Sequence, residues 1–227
     1  MNIAFVVIFF ILLVVIFYTF NFYRYFKVYF NGEKNKKEYI KNFSKKPRIK
    51  TKSKIIVSIT CKPHYMKSLM PMLISIMDQN TRIDGIALNI PYKTNTGETY
   101  DNIPDCLKDI VSIYRCHDYG KQNNIIPTLL RESEYGTIII SLDEKVIYGK
   151  TFIKKLLKES LKNNNRAIFF NEGMLVKPEF FSTDILYEDK EIPNIKRYIK
   201  AQSMLFEYYE NYKIDPFKIN SLKSLLP

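Results

Sequence analysis

Asp143, Glu144 and Lys145 follow directly on the apolar run Thr137-Ile-Ile-Ile-Ser-Leu142. That run reads as a strand covered on both faces, as in the interior of a parallel sheet. In open α/β sheets the ligand site lies just beyond the carboxyl ends of the strands. Carboxylates at that place commonly hold a divalent cation and, through it, a phosphate. The lysine in third position admits two readings. In one, its ammonium stands where the cation would and stabilises a leaving anion directly, fixed positive charge facing developing negative charge. In the other it neutralises Asp143 or Glu144 as a surface ion pair worth about 0–1 kcal/mol, with no chemistry attached.

Two further groups of residues have the right types. Thr60 closes the apolar run Ile55-Ile-Val-Ser-Ile-Thr60, and Asp118-Tyr-Gly120 interrupts a polar stretch. A hydroxyl and carboxylates at strand ends can bond ribose hydroxyls or a base edge, and Gly120 lets a ligand approach the backbone closely. Asp and Gly also favour turns without any ligand. Cys61, Cys106 and Cys116 are odd in number and lack metal-site spacing, so reduced thiols are expected. His64 and His117 stand alone and read as polar loop residues. With seven glycines and neither a G-x-G-x-x-G nor a P-loop pattern, the sequence speaks against dinucleotide and ATP sites of those kinds.

The elements that must position these residues alternate between strand and helix. Strands are expected at Ile55–Thr60, Ile86–Ile90 (ended by Pro91), Val111–Tyr114, Ile138–Leu142 and Arg166–Phe170. Helices are expected after a Ser68 cap, with Leu69, Met72, Leu73 and Ile76 inward, and near Gln122–Leu130. Further helices are expected at Lys150–Lys162, with Phe152, Ile153, Leu156, Leu157 and Leu161 inward, and at Ile195–Tyr212. Pro71 falls in a first turn, where it is tolerated. This alternation implies an α/β domain with a mainly parallel sheet flanked by helices.

Three segments divide the 227 residues. Residues 1–23 read as a single-pass transmembrane anchor. The uncharged run Ile3–Phe20 would rise roughly 27 Å as a helix, close to a bilayer's hydrocarbon thickness, with Tyr18, Tyr23 and Tyr25 near one end. A cleaved signal peptide fits less well, because a basic start and a small-residue cleavage site are absent. Residues 24–53 form a basic juxtamembrane linker, and residues 54–227 the globular domain. From Arg24 to Lys54 there are 12 Lys or Arg against 2 Glu, so the net charge of +12 is concentrated there. The domain itself is nearly neutral, which argues against nucleic acid as a partner. A basic run beside an anchor is drawn to anionic headgroups; the alternative is a linker whose charges only keep it extended. Since cations follow the apolar run and none precede it, the positive-inside rule places the domain in the cytosol.

The order of Ile55–Thr60, Pro63, Leu88-Asn-Ile-Pro91, Asp118-Tyr-Gly120 and Ile138-Ile-Ile-Ser-Leu-Asp143 resembles that of GT-A-fold glycosyltransferase-like proteins of the glycosyltransferase 2 kind. The resemblance spans roughly residues 54–182. It implies a nucleotide-sugar donor, an acceptor the sequence does not identify, and Mn²⁺ or Mg²⁺ wherever the acidic cluster holds a cation. It further implies donor-binding roles for Thr60, Asp118, Gly120 and Asp143, Asp143 also being the metal ligand if one is used. The chain departs from the family pattern in three places. Lys145 replaces a third acidic residue, Asn124 stands where a lysine is usual, and Lys200-Ala-Gln-Ser203 lacks the paired carboxylates expected before the last helix. The catalytic candidates are then Lys145 as a metal substitute and Glu144 or Glu172 as base. Gly173–Phe181 resembles the acceptor-side segment, where Phe180 and Phe181 would either stack on a sugar or belong to the core. With these departures, the other reading of the same fold is an inactive scaffold or carbohydrate-binding module.

Overall fold

The computed structural model describes residues 3–19, 27–28, 34–46, 53–163, 166–170, 173–181, 206–207 and 217–218. Glu172, Lys200–Ser203 and most of the expected last helix lie outside the described residues. So does much of the linker.

The domain is α/β, with a mostly parallel mixed sheet flanked by helices. Its strands are β1 (Ile55–Thr60), β2 (Gly85–Pro91), β3 (Ser112–Cys116), β4 (Ile138–Ser141), β6 (Ile168–Phe170), β7 (Gly173–Val176) and β8 (Phe206–Glu207), in the spatial order β3-β2-β1-β4-β7-β6-β8. A separate antiparallel pair joins β5 (Val146–Ile147) to β9 (Phe217–Lys218). β1 pairs in parallel with β2, Thr60 opposite Asn89, and with β4, Ser58 opposite Ser141. A short run rich in β-branched residues suits a central strand, and β1 is buried along nearly its whole length.

Helices cover both faces. α3 (Met70–Met77) lies over one face with every residue but Pro71 buried. α2 (Lys36–Lys45) packs against α3. α6 (Phe152–Lys162) joins the same layer through Phe152, Ile153 and Leu156. α5 (Ile126–Arg131) lies over the other face with Ile139, Met174, Val176, Phe180 and Phe181. A short α4 (Asp105–Lys108) precedes β3. Buried Gln79 joins α3 to α6: its side-chain amide donates to the carbonyls of Ser75 (2.9 Å) and Gly149 (2.7 Å), and its Oε1 accepts from the Ile153 amide at 3.1 Å. Gln79 thus supplies an acceptor to the first turn of α6, where Thr151 makes no side-chain cap.

Several expectations are corrected. Ser68 caps no helix; its hydroxyl donates to the Tyr65 carbonyl (2.9 Å) at the end of a 3₁₀ turn over Pro63–Ser68, and α3 starts after it. Leu161 is 64% exposed, one residue past the stripe that faces the core. Within the expected helix 195–212, the described residues 206–207 are a strand paired in parallel with β6. The open edge of β6 supplies backbone partners that outweigh local helix preference. Part of the linker is likewise an element of the domain, with Tyr39, Ile40 and Phe43 of α2 packed against the core. β7 was not foreseen as a strand, and it runs antiparallel to both neighbours. Phe180 and Phe181 are buried in the second cluster, which places them in the core.

The apolar segment forms α1 (Ile3–Thr19), 17 residues long, with large apolar side chains exposed along it. No helix among the described residues is long and apolar enough to cross a membrane.

β7 enters between β4 and β6 only because Gly173 has no side chain. A Cβ there would sit 2.6 Å from the Ser141 carbonyl oxygen and would also strike the Phe170 ring. The carbonyl belongs to the paired strand and cannot swing away. Gly173→Ala is therefore expected to lower the urea midpoint, corresponding to about 1–3 kcal/mol of lost stability. An unchanged midpoint would mean that the two strands separate at no cost.

Candidate functional site

The chain passes from β1 to β2 to β3 on one side of β1, then returns to place β4 on the other. The loops leaving β1 and β4 therefore diverge, and a crevice opens where the strand order reverses. An open cavity of about 810 Å³ lies there. Its wall carries Thr60, Cys61 and Lys62 after β1, and Thr94–Thr96 and Glu98 after β2. Asp118 and residues 120–124 follow β3, and Leu142, Asp143 and Glu144 follow β4. Phe169, Gly173 and Met174 close it from β6 and β7. Of the residues singled out from the sequence, Thr60, Asp118, Gly120, Asp143 and Glu144 thus meet at one cavity.

Their bonding separates ligand groups from supports. Both Asp118 oxygens are already committed. Oδ2 accepts from the Asn95 amide at 2.8 Å, and Oδ1 accepts from the Gly120 amide (2.9 Å) and the Asn123 side chain (2.7 Å). Asn123 Oδ1 in turn accepts from the Tyr119 amide at 2.7 Å. Asp118 therefore ties the 94–98 turn to the loop after β3, with Gly120 at a φ of 59°, where glycine is favoured. Thr60 donates to the Asn89 carbonyl at 2.8 Å, which leaves its hydroxyl free to accept.

Asp143 Oδ1 accepts from the Lys145 amide at 2.8 Å, an Asx turn that bends the chain after β4. The Tyr148 hydroxyl accepts from the Asp143 amide at 2.9 Å and fixes that bend from below. The Glu144 carboxyl is held above the usual glutamate range, first by burial, with the adjacent Asp143 charge adding to it and Lys145 opposing. A carboxyl raised in this way suits a general base working near neutral pH.

Lys145 is not part of the cavity wall. Its ammonium lies 4.7 Å from the centroid of the Tyr65 ring, and that ring is 4.2 Å from His64. Such a cation–π contact links the loop after β4 to the 3₁₀ turn after β1, across the point where the two diverge. The cations that do line the cavity are Lys62 and Lys121, which sequence reasoning missed. Lys62 stands two residues beyond the end of β1, and the strand-end rule, applied to every strand, would have found it. Lys121 follows Gly120 and owes its place to the Asp118 turn.

The two lysines face four carboxylates: Glu98, Asp118, Asp143 and Glu144. Among the described residues no three His, Cys, Asp or Glu side chains converge to hold a metal ion. Asp143 and Glu144 offer two carboxylates, which matches the habit of Mg²⁺ of taking one or two from the protein and the rest from water and substrate phosphates. The donor set fits a phosphate-bridged cation and does not fit a closed protein site. All three cysteines are free. Burial, with Glu144 adding, pushes the Cys61 thiol up, so it is no nucleophile at neutral pH.

Below the cavity floor lies a buried polar cluster. Ser58 and Thr128 hydroxyls meet at 2.6 Å, and the Asn89 amide donates to both, at 3.0 and 2.8 Å. It joins β1, β2 and α5 directly beneath the crevice and fixes their register.

The raised Glu144 carboxyl has a testable consequence. Its folded-state value exceeds the unfolded one, so between the two the native state binds more protons and stability falls as pH rises. Glu144→Gln should unfold like the parent under acidic conditions, where the carboxyl is protonated in both states. As pH climbs past the ordinary glutamate range the variant should become the more stable of the two, its advantage then levelling off. Urea midpoints measured across pH check this; a parent that gains stability over the variant with rising pH would refute the assignment. Comparison of the chain with protein-family profiles and with curated proteins finds no match.

Proposed function

We propose that the domain is a GT-A-like glycosyltransferase that binds a nucleotide-sugar donor in the switch-point crevice and transfers the sugar to an acceptor hydroxyl. The observation that carries this reading is the meeting of Thr60, Asp143 and Glu144 at one open cavity beyond the carboxyl ends of β1 and β4. Its volume suits a ligand of nucleotide-sugar size. Thr60 accepts a hydrogen bond from the nucleoside, and Asp118 with Gly120 shapes the loop against it. Asp143 would hold Mg²⁺ or Mn²⁺, with water and substrate phosphates completing the shell, and the cation would neutralise diphosphate charge when bound. Lys62 and Lys121 supply fixed positive charge in the same cavity. Glu144 is the described group best placed to take the acceptor proton. Residues 1–23 anchor the chain in a membrane, and the domain faces the cytosol.

A second reading has its own support. Lys145 rests on Tyr65 instead of facing the cavity, both Asp118 oxygens accept from the protein's own loops, and the acidic pair lacks a third member among the described residues. These are features of a binding module or scaffold that keeps the crevice without turnover.

Calorimetric titration of the protein with a panel of nucleotide sugars, with and without Mn²⁺, separates the readings. A donor should bind, and Asp143→Asn should weaken it more than tenfold. Lys145→Met should change it by less than about fivefold if Lys145 is only a latch between loops, since a cation–π contact of this kind is worth about 0.5–1 kcal/mol. Failure of every nucleotide sugar to bind under both conditions would overturn the transferase reading. Binding without turnover of any supplied acceptor would favour the module. A Lys145→Met loss as large as that of Asp143→Asn would restore the lysine as a cation substitute.

A further inference from the structure

The outer face of α2 carries a basic row that the packing of the domain leaves unused. Lys37, Lys41 and Lys45 are exposed, and their spacing of four residues puts them on one side of the helix, with Lys34 exposed in the turn just before it and Glu38 the one exposed carboxylate beside them. Tyr39, Ile40 and Phe43 occupy the opposite side and pack against the core. An amphipathic helix that has spent its apolar face on its own domain cannot insert in a bilayer; only its charged face is available outside.

The helix is pinned at both ends. Lys36 Nζ lies 3.4 Å from Asp109, just before β3. At the other end Lys46 Nζ donates to the Met77 carbonyl at 2.6 Å and to that of Gln79, and Arg82 donates to the Lys46 carbonyl at 2.9 Å. Asp109, Met77, Gln79 and Arg82 all stand at the edge of the sheet where β2 and β3 begin. The cavity stands at the edge where they end. A strand's length, roughly 17–20 Å, separates the two edges.

We propose that this lysine row is a docking face for an anionic lipid surface, and that it fixes how the domain stands on the membrane: strand starts toward the bilayer, crevice away from it. The occupant is a lipid surface because the row lies in the same chain as, and shortly after, the exposed apolar helix α1. A flexible basic tether would attract the bilayer without orienting anything; a row on a helix locked to the core transmits its orientation to the whole domain. This rests on the glycosyltransferase reading only for its consequence, that the acceptor is reached from the aqueous side and is not a headgroup of the supporting leaflet.

The test uses the full chain with nanodiscs of phosphatidylcholine alone or with about a third phosphatidylserine. Donor dyes are attached at Asn42 on α2 or at Thr96 on the cavity rim, and acceptor dyes at the headgroups. Energy transfer from position 42 should rise in the anionic discs and that from position 96 should not. The triple variant Lys37→Glu, Lys41→Glu, Lys45→Glu, or half-molar salt, should abolish the difference. All three lysines are exposed, and an unchanged urea midpoint of the triple variant separates loss of docking from loss of folding. Each lysine at an anionic surface contributes roughly fivefold in partitioning, so the triple variant should lose at least tenfold in any binding that depends on the row. If the chain fails to stay with neutral discs, α1 is no anchor; retention by anionic discs alone, lost in the triple variant, would still support the row. Equal transfer in both discs, closer approach of position 96, or tight binding of a labelled RNA duplex that anionic discs do not compete would each overturn the proposal.

Discussion

The rest of this molecule depends on β1 being hydrogen-bonded on both sides by parallel neighbours, β2 and β4, that both follow it in the chain. A strand so placed has no face and no edge left for water, which is why its residues are almost all aliphatic. Its two parallel partnerships also force the crossover loops on its two sides to part company above it. The crevice is a by-product of that topology. Nothing in the loops needs to dig it, and the residues around it need only be of the right kind. The Ser58–Asn89–Thr128 cluster shows the cost of the arrangement, since two buried hydroxyls and the amide nitrogen under the crevice bond one another while the Asn89 Oδ1 stays buried without a donor.

Electrostatics above that floor is a balance between supports and ligands. Asp118 looks from the sequence like the acidic partner of Asp143, yet it serves the loop and leaves no oxygen free of a protein donor. Asp143 divides its oxygens, one for the turn after β4. Glu144, crowded by burial and by its neighbour, is the group whose proton is easiest to move. Lys62 and Lys121 then stand as the positive charges of the cavity, while Lys145 holds two loops together from outside it.

Much of this was legible in the chain. Ile55–Thr60 is a strand over the very residues its apolar run marks, because a short stretch so rich in β-branched residues has few other places to go. The acidic pair after Leu142 lands at the strand end for the same reason. What was not legible involves contacts between distant segments. β7 depends on Gly173 meeting the backbone of Ser141, and four residues of Gly-Met-Leu-Val carry no sign of that. Tyr39, Ile40 and Phe43 were hidden among lysines, so a docked helix read as tether. The side chain of Lys145 was judged by its neighbours in sequence, whereas Tyr65, eighty residues earlier, decides where it rests.

The place of β1 also bears on how the chain is made. Its partner β4 begins at Ile138, more than eighty residues after Ile55, and long-range parallel pairing forms slowly. While those residues emerge from the ribosome, one edge of this central apolar strand has no partner. Such an edge is a template for pairing with another chain. α2, which precedes β1 and reaches the core layer through α3, is available before β4 and shields one side of the nascent β1–β2 unit. The helix that faces outward in the finished domain is thus also among its earliest covers, and shortened chains that end before β4 should be kept soluble only with a chaperone's help.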